Sequence, residues 1–232
     1  VPAGLMGIDL DKFLARAEAM KEQCQPGVPA ARNPGLVLGA IMGQAARVGT
    51  DKLTILTDAE NSSMGSWMEQ LVAESSGKEG KGIVPVDIEP LVSADVYSKD
   101  RLFVYLRLSG QKDALAKELL AAGHPVLTLQ MESAYDVAAE FYRWEVGTTI
   151  ACALLGVNAF DQPDVQDNKN RTVKKITDFK AAGHFEESPA VWQGDGIKIY
   201  GLDFPGLKTC ADARSALAAF LKLTKDGDYV AI

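Results

Sequence analysis

Short apolar runs alternate with amphipathic stretches along most of this 232-residue chain. Runs that are apolar on both faces predict buried strands, expected here at Lys52–Thr57, Gly82–Val86, Leu102–Leu108, Pro125–Leu129 and Ile197–Gly201. Apolar residues three and four positions apart predict helices, expected at Asp9–Gln23, Pro34–Val48, Ser62–Ser75, Ala114–Ala122, Tyr135–Leu155, Asp161–Phe179 and Ala211–Leu223. Strands that alternate with helices indicate an α/β fold, a mainly parallel sheet covered by helices.

The two ends of the sequence favour a fragment of a longer polypeptide. The chain starts at Val1 rather than at an initiator methionine, and Tyr229–Ile232 has the composition of a strand that has just begun. We expect residues 1–32 to form an N-terminal helix and linker, and residues 33–232 to form one α/β domain. The polar stretch Gly183–Gly196 is predicted to be a surface loop.

Composition excludes several classes of protein and site. The formal net charge of −7 argues against a nucleic-acid surface, which needs a basic face. The longest apolar stretch, Val137–Leu155, contains Glu140, Arg143 and Glu145, so it predicts a water-exposed helix rather than a membrane span. The three cysteines are far apart and show no CxxC or zinc-like spacing, which favours packed thiols in a reducing cytoplasm.

The first segment with candidate chemistry is Gln70–Lys78. Residues four apart share a helix face, so Gln70 and Glu74 are expected to point the same way. Glu74 falls in the last turn of its predicted helix, where the helix dipole disfavours an anion, so a purely structural role explains it poorly. On residue type alone, Lys78 and Lys81 are ordinary surface charges. The following glycines match neither a Walker A loop nor a dinucleotide fingerprint.

The second segment is Phe160–Lys169, which begins with turn chemistry and then becomes helical. Asp164 and Asp167 are explained by the positive end of a helix dipole, which favours acidic residues in the first turn. That explanation does not account for the positions of Gln162 and Lys169. A lysine at this point of the helix could face a neighbouring cleft.

Together the two segments resemble the signatures of the phosphoglucose isomerase family. The first is similar to Gln-x-x-x-Glu-Ser-x-Gly-Lys, and the second to an aromatic residue, Asp or Asn, Gln, x, Gly-Val-Glu, two residues and Lys. The second departs from the family at Asp164 and Gln166, which replace Gly and Glu. The surrounding sequence resembles the isomerase half of bacterial bifunctional transaldolase–phosphoglucose isomerases, through Ala73–Val86, Glu140–Glu145 and the Asn158–Pro163 turn.

The resemblance implies a fold, an activity and a set of site residues. The fold is the second sugar isomerase (SIS) domain, a three-layer α/β/α sandwich with a mainly parallel sheet of roughly five strands. The activity is glucose 6-phosphate to fructose 6-phosphate isomerisation through a cis-enediolate, a step of glycolysis and gluconeogenesis, without a metal or organic cofactor. Glu74 would be the base, Lys169 would assist ring opening or stabilise the oxyanion, and Gln70 and Gln162 would orient the substrate.

Parts of the family's site are not visible in this chain. These are the phosphate loop, an arginine that faces the enediolate and a ring-opening histidine, in whose place Glu140 stands; His124 and His184 are expected to be structural. The isolated chain is therefore expected to be inactive and completed by a companion SIS domain, in a homodimer. The alternatives are a non-catalytic sugar-phosphate-binding or regulatory SIS module, and a structural or dimerisation domain.

Overall fold

The computed structural model describes residues 1–185, 188–201, 203–225 and 228. Contacts divide the chain into two units, Val1–Val165 and Gln166–Ile232. The division at residue 32 stays a prediction of domain organisation. The strand predicted at Tyr229–Ile232 lies outside the described residues.

A parallel sheet of four strands is the centre of the first unit. The strands lie in the order β2–β1–β3–β4, with bounds β1 Lys52–Thr57, β2 Val84–Val86, β3 Arg101–Arg107 and β4 Val126–Gln130. In this register Leu53 lies beside Pro85 on one side and Leu102 on the other. The predicted α/β fold with a parallel sheet is confirmed.

The helices up to residue 182 begin within two residues of the predicted starts, apart from α1, which the sequence did not indicate. They are α1 Pro2–Leu5, α2 Leu10–Gln23, α3 Pro34–Arg47, α4 Ser63–Ser76, α5 Asp113–Ala121, α6 Val137–Leu155 and α7 Pro163–Ala182, the last of which crosses the boundary between the units. The Asn33 side chain accepts a hydrogen bond from the Leu36 N–H at 3.0 Å and caps α3. At α4 the N-cap residue Ser62 makes no capping hydrogen bond, because its hydroxyl donates instead to the Ala59 carbonyl at 3.0 Å.

The sheet is covered on both faces, which makes the three layers of the predicted sandwich. Successive strand residues point to opposite faces. On β3, Val104 and Leu106 pack into a core with side chains from α3, α4 and α6. Phe103 and Tyr105 pack into the opposite core, which includes Leu119 of α5. No helix within the described residues is long and apolar enough to cross a membrane.

Small residues allow α3 and α6 to lie against each other at close range. A Cβ atom added at Gly39 would lie 2.4 Å from the carbonyl oxygen of Gly147 on α6. Gly35 and Gly43, one turn to either side, face α6 in the same way. This contact fixes the position of α6, and with it the turn that follows α6 and carries the second segment.

The second unit has a small core of its own. Strands β5 Trp192–Gly194 and β6 Ile197–Ile199 form an antiparallel pair. Trp192 packs with Phe204 and Leu207, which precede helix α8 (Ala213–Leu221), and with Ala216 on that helix. The predicted loop at residues 183–196 therefore contains a strand. The run predicted at Ile197–Gly201 forms a strand as expected, but in this pair rather than in the parallel sheet.

Candidate active site

Glu74 receives a hydrogen bond on each of its carboxylate oxygens. Gln70, one turn earlier on α4, donates from Nε2 to Oε1 at 3.1 Å. Gln162, 88 residues later in sequence, donates from Nε2 to Oε2 at 3.1 Å. All three side chains are exposed. The two segments thus meet at an open carboxylate that neutral amides hold in place, and each oxygen keeps a further acceptor position.

The end of α4 is fastened by a buried serine. The Ser76 hydroxyl donates to the Val72 carbonyl at 2.7 Å and accepts from the Ile83 N–H at 3.0 Å. These bonds join the last turn of α4 to the chain that enters β2. Between them, Lys78 and Lys81 pair as an antiparallel bridge and close a tight hairpin around Glu79 and Gly80, both of which have positive φ.

Lys78 is buried, and its ammonium contacts the second segment. Its side chain is 4% exposed, and Nζ lies 3.0 Å from Oδ1 of Asp161. The same nitrogen donates to the backbone carbonyls of Asn158 and Asp161. The hydrogen bond from Lys78 and its positive charge lower the pKa of the Asp161 carboxyl.

The interpretation of Lys78 as a surface charge is therefore wrong, whereas Lys81 is exposed as expected. Both lysines belong to a run of small polar residues, and no local pattern distinguishes them. The signal that singles out Lys78 is its place in the first signature. Its burial follows from a tertiary contact with the turn after α6, which a local pattern cannot reveal.

The predicted turn between α6 and α7 is present and is held by its own side chains. Helix α6 ends at Gly156 in the left-handed conformation. Asn158 then accepts a hydrogen bond from the Phe160 N–H at 3.0 Å and donates to Asp161 Oδ2 at 3.1 Å. Near the end of α6, the Cys152 thiol donates to the Ser75 carbonyl at 3.4 Å. This contact holds the end of α6, and with it the start of the turn, beside Ser75.

Lys169 lies on α7, in the second unit, with its side chain exposed. Glu74, Gln70 and Gln162 belong to the first unit. The geometry just described therefore brings together three of the four predicted site residues. Lys169 stays a predicted site residue.

The site lies at the edge of the sheet opposite to the one where open parallel sheets usually bind ligands. A crossover helix between parallel strands starts at their carboxyl ends and finishes near their amino ends. Glu74 is in the last turn of α4 and so lies toward the amino ends. The carboxyl end of β1 borders a separate cavity of about 430 Å³, whose lining includes Ser62, Ser63, Ser66, Asp87 and Glu89.

Glu140, at the place where a histidine was expected, is almost wholly buried. Its Oε1 lies 3.4 Å from an Nη atom of Arg143, and burial raises its pKa to about 7. It is 12 residues before Cys152 on α6, which at 1.5 Å per residue is about 18 Å along the helix. Since Cys152 contacts Ser75, Glu140 is remote from Glu74 within the unit. His124 is buried, and its Nε2 lies 3.0 Å from the Ala94 carbonyl, as a histidine with the expected structural role would be.

Comparisons with known proteins support a relationship with the phosphoglucose isomerases. A probable glucose-6-phosphate isomerase of Natronomonas pharaonis is 26% identical over an alignment of 231 positions, and the alignment covers 82% of this chain and 52% of that protein. A glucose-6-phosphate isomerase of Heliobacterium modesticaldum is 27% identical over an alignment of 213 positions, and the alignment covers 73% of this chain and 47% of that protein. No family model matches the chain. The chain spans about half the length of the curated relatives it matches.

A solved structure supports the fold independently. A hypothetical protein from Thermus thermophilus superposes with a TM-score of 0.60 at 21% identity, over 73% of this chain and 51% of that one. At this identity the likeness concerns the fold, and it agrees with an SIS-type α/β/α sandwich. The first unit therefore has the architecture that the resemblance implied.

Proposed function

We propose that the full-length protein containing this chain is an aldose–ketose isomerase that interconverts glucose 6-phosphate and fructose 6-phosphate. This chain would supply one part of the active site. The observation that carries the proposal is the Glu74 carboxylate, accepting from Gln70 and from Gln162 at 3.1 Å each. The names of the relatives supply the substrate pair.

The chemistry needs a carboxylate base and donors that stabilise an enediolate. Glu74 would take the proton from carbon 2 of the opened aldose and return it to carbon 1 of the cis-enediolate. The two amides, which carry no charge, hold the carboxylate in one orientation. On substrate binding, the same amides could also orient hydroxyl groups or the phosphate. Lys169 would assist ring opening or stabilise the oxyanion.

The remaining groups would come from a companion SIS domain of the same polypeptide. The chain spans about half the length of its relatives, and the phosphate loop, the arginine and the ring-opening histidine are not recognisable in it. We therefore expect the isolated chain to be inactive. A homodimer, a cytoplasmic location and a preceding transaldolase half remain predictions from the resemblance.

The alternative is a non-catalytic module that binds a sugar phosphate. Its natural site would be the cavity at the carboxyl end of β1, where the hydroxyls of Ser62, Ser63 and Ser66 could contact a ligand. Asp87 and Glu89 line the same cavity and would repel a phosphate. The open carboxylate of Glu74 has no use in such a module, so we favour the enzyme.

A coupled isomerase assay on the full-length protein tests the proposal. Glu74→Gln keeps the shape of the side chain and removes its basicity, so kcat is expected to fall about a thousandfold. Glu69→Gln, an exposed glutamate on the same helix, is the matched control and should retain wild-type turnover. Normal activity of Glu74→Gln would exclude Glu74 as the base. No activity of the wild type, combined with binding of fructose 6-phosphate, would favour the module.

A further inference from the structure

We propose that Lys78 is a positioning residue, which holds the Asn158–Asp161 turn so that Gln162 reaches Glu74. The structural part of this inference stands on contacts within the first unit. Its consequence for turnover rests on the proposed isomerase function.

The ammonium of Lys78 has as many partners as it has protons. It carries three N–H donors, and its three acceptors are the Asn158 carbonyl, the Asp161 carbonyl and Asp161 Oδ1. An ammonium that is 4% exposed pays a large desolvation penalty unless such partners are present. The turn therefore cannot move away from Lys78 without leaving a buried charge unpaired.

One of these acceptors belongs to the peptide group that leads into Gln162. The carbonyl of Asp161 is bonded to the nitrogen of Gln162, and the peptide unit is planar. When Lys78 holds this oxygen, it also fixes the nitrogen and Cα from which the Gln162 side chain starts. The Gln162 amide then lies 3.1 Å from Glu74 Oε2.

Lys78 is also fixed relative to Glu74. It follows Glu74 by four residues, and the Ser76 hydrogen bonds to Val72 and Ile83 hold the intervening backbone. The lysine therefore sets the spacing between the helix that carries the carboxylate and the turn that carries the amide. Cys152, which contacts Ser75, lies nine residues before Asp161 in the sequence. This contact therefore cannot fix the peptide at Gln162.

The hairpin itself supplies a matched control. Lys81 pairs with Lys78 through two backbone hydrogen bonds, Lys78 N to Lys81 O at 3.1 Å and Lys81 N to Lys78 O at 2.9 Å. The side chain of Lys81 is exposed. Lys81→Met therefore makes the same chemical change in the same bridge and leaves the three hydrogen bonds from Lys78 to the turn in place.

Crystal structures of the full-length protein test the structural part. Lys78→Met should lose the contact between Gln162 Nε2 and Glu74 Oε2, with a displaced Asn158–Asp161 turn, and Lys81→Met should keep both. If Lys78→Met does not fold, Asp161→Ala removes one acceptor at a half-exposed side chain and should lengthen the same distance. An unchanged distance in a folded Lys78→Met, or in Asp161→Ala when the former does not fold, would overturn the inference.

A double-mutant cycle tests the functional part. Lys78→Met and Gln162→Ala should each lower kcat/KM about fivefold, the effect of losing one neutral donor to an exposed carboxylate. The double variant should lose no more than Gln162→Ala alone, because both changes remove the same contact. If the two losses multiply in the double variant, Lys78 does not act through Gln162. A general structural role of Lys78 would give the same multiplied loss.

The two proposals fail in different ways. A wild-type protein without isomerase activity, whose Lys78→Met variant still loses the contact to Glu74, would overturn the proposed function and leave the positioning role standing. An active wild type whose Lys78→Met variant keeps the contact and the rate would overturn the positioning role alone.

Discussion

Asp58 and Glu140 are both carboxyl side chains with almost no exposed surface, but their surroundings shift the pKa in opposite directions. Asp58 follows β1, where burial opposes ionisation. The Tyr105 hydroxyl at 2.6 Å and three consecutive backbone N–H groups, of residues 108–110, outweigh burial and lower its pKa to about 2. Burial raises the pKa of Glu140 to about 7, although the Arg143 guanidinium offsets part of this effect.

The difference shows that the number of donors, rather than burial, decides the charge of a carboxyl group in this fold. Four donors keep Asp58 ionised, and it ties the end of β1 to the loop after β3. Glu140 has one cation nearby, the Arg143 guanidinium at 3.4 Å, and its Oε2 has no hydrogen-bond partner within the described residues. Glu74 differs from both, because it is exposed and accepts from two neutral amides. Of the three, it is the carboxylate that a substrate can reach.

The largest expected effect is at Asp58. Asp58→Asn should destabilise the protein by about 4 kcal/mol at pH 7, because buried N–H groups lose the carboxylate that accepts their hydrogen bonds. Urea unfolding measures the loss, and Asp95→Asn, at an exposed carboxylate, should change little. The native pKa of about 2 lies below the ordinary 3.8, so this stabilisation is complete above pH 4 and declines as the pH falls toward 2. Equal stability of the two variants would contradict the comparison.

The ionisation of Glu140 should change the stability with pH in the direction opposite to that of Asp58. The unfolded chain releases the proton near pH 4.5 and the native state near 7, so the native state holds more protons between these values and loses stability as the pH rises. Glu140→Gln removes this loss and should gain up to about 3 kcal/mol at pH 8, with little gain at pH 4. Unfolding curves at both pH values measure it, with exposed Glu145→Gln as the control. A gain that does not depend on pH would contradict the assignment.

The smallest expected effect concerns the amides at Glu74. Gln70→Ala should lower kcat/KM of the full-length protein about fivefold, close to 1 kcal/mol, because one neutral donor to an exposed carboxylate is lost. The coupled isomerase assay measures it, with Gln44→Ala on α3 as the control. A rate unchanged by Gln70→Ala would mean that one amide suffices to orient Glu74.

Most elements of the first unit could be predicted from the sequence because their patterns are local. The run Lys52–Thr57 forms β1 with the predicted bounds, and α3 begins at Pro34 as predicted. In the second unit, Ile197–Gly201 has the composition of a strand, but whether it joins the main sheet depends on its partner. Trp192–Gly194 is that partner, and its polar surroundings indicated a loop.

The site could be predicted only as far as signatures and helical periodicity reach. Periodicity placed Gln70 beside Glu74, and the resemblance added Gln162, which the fold brings to the same carboxylate. The burial of Lys78 depends on a turn some 80 residues away in sequence. The environment of Glu140 depends on the packing around α6. Neither contact leaves a mark on the neighbouring residues in the sequence.

The central claim is that Glu74 transfers the proton, and solvent exchange tests it most directly. The full-length protein is incubated with glucose 6-phosphate in D₂O, and deuterium at carbon 2 is followed by NMR beside turnover. The wild type and Glu69→Gln should incorporate deuterium as they turn over, and Glu74→Gln should be slower by about a thousandfold. Incorporation by Glu74→Gln at the wild-type rate would contradict the account.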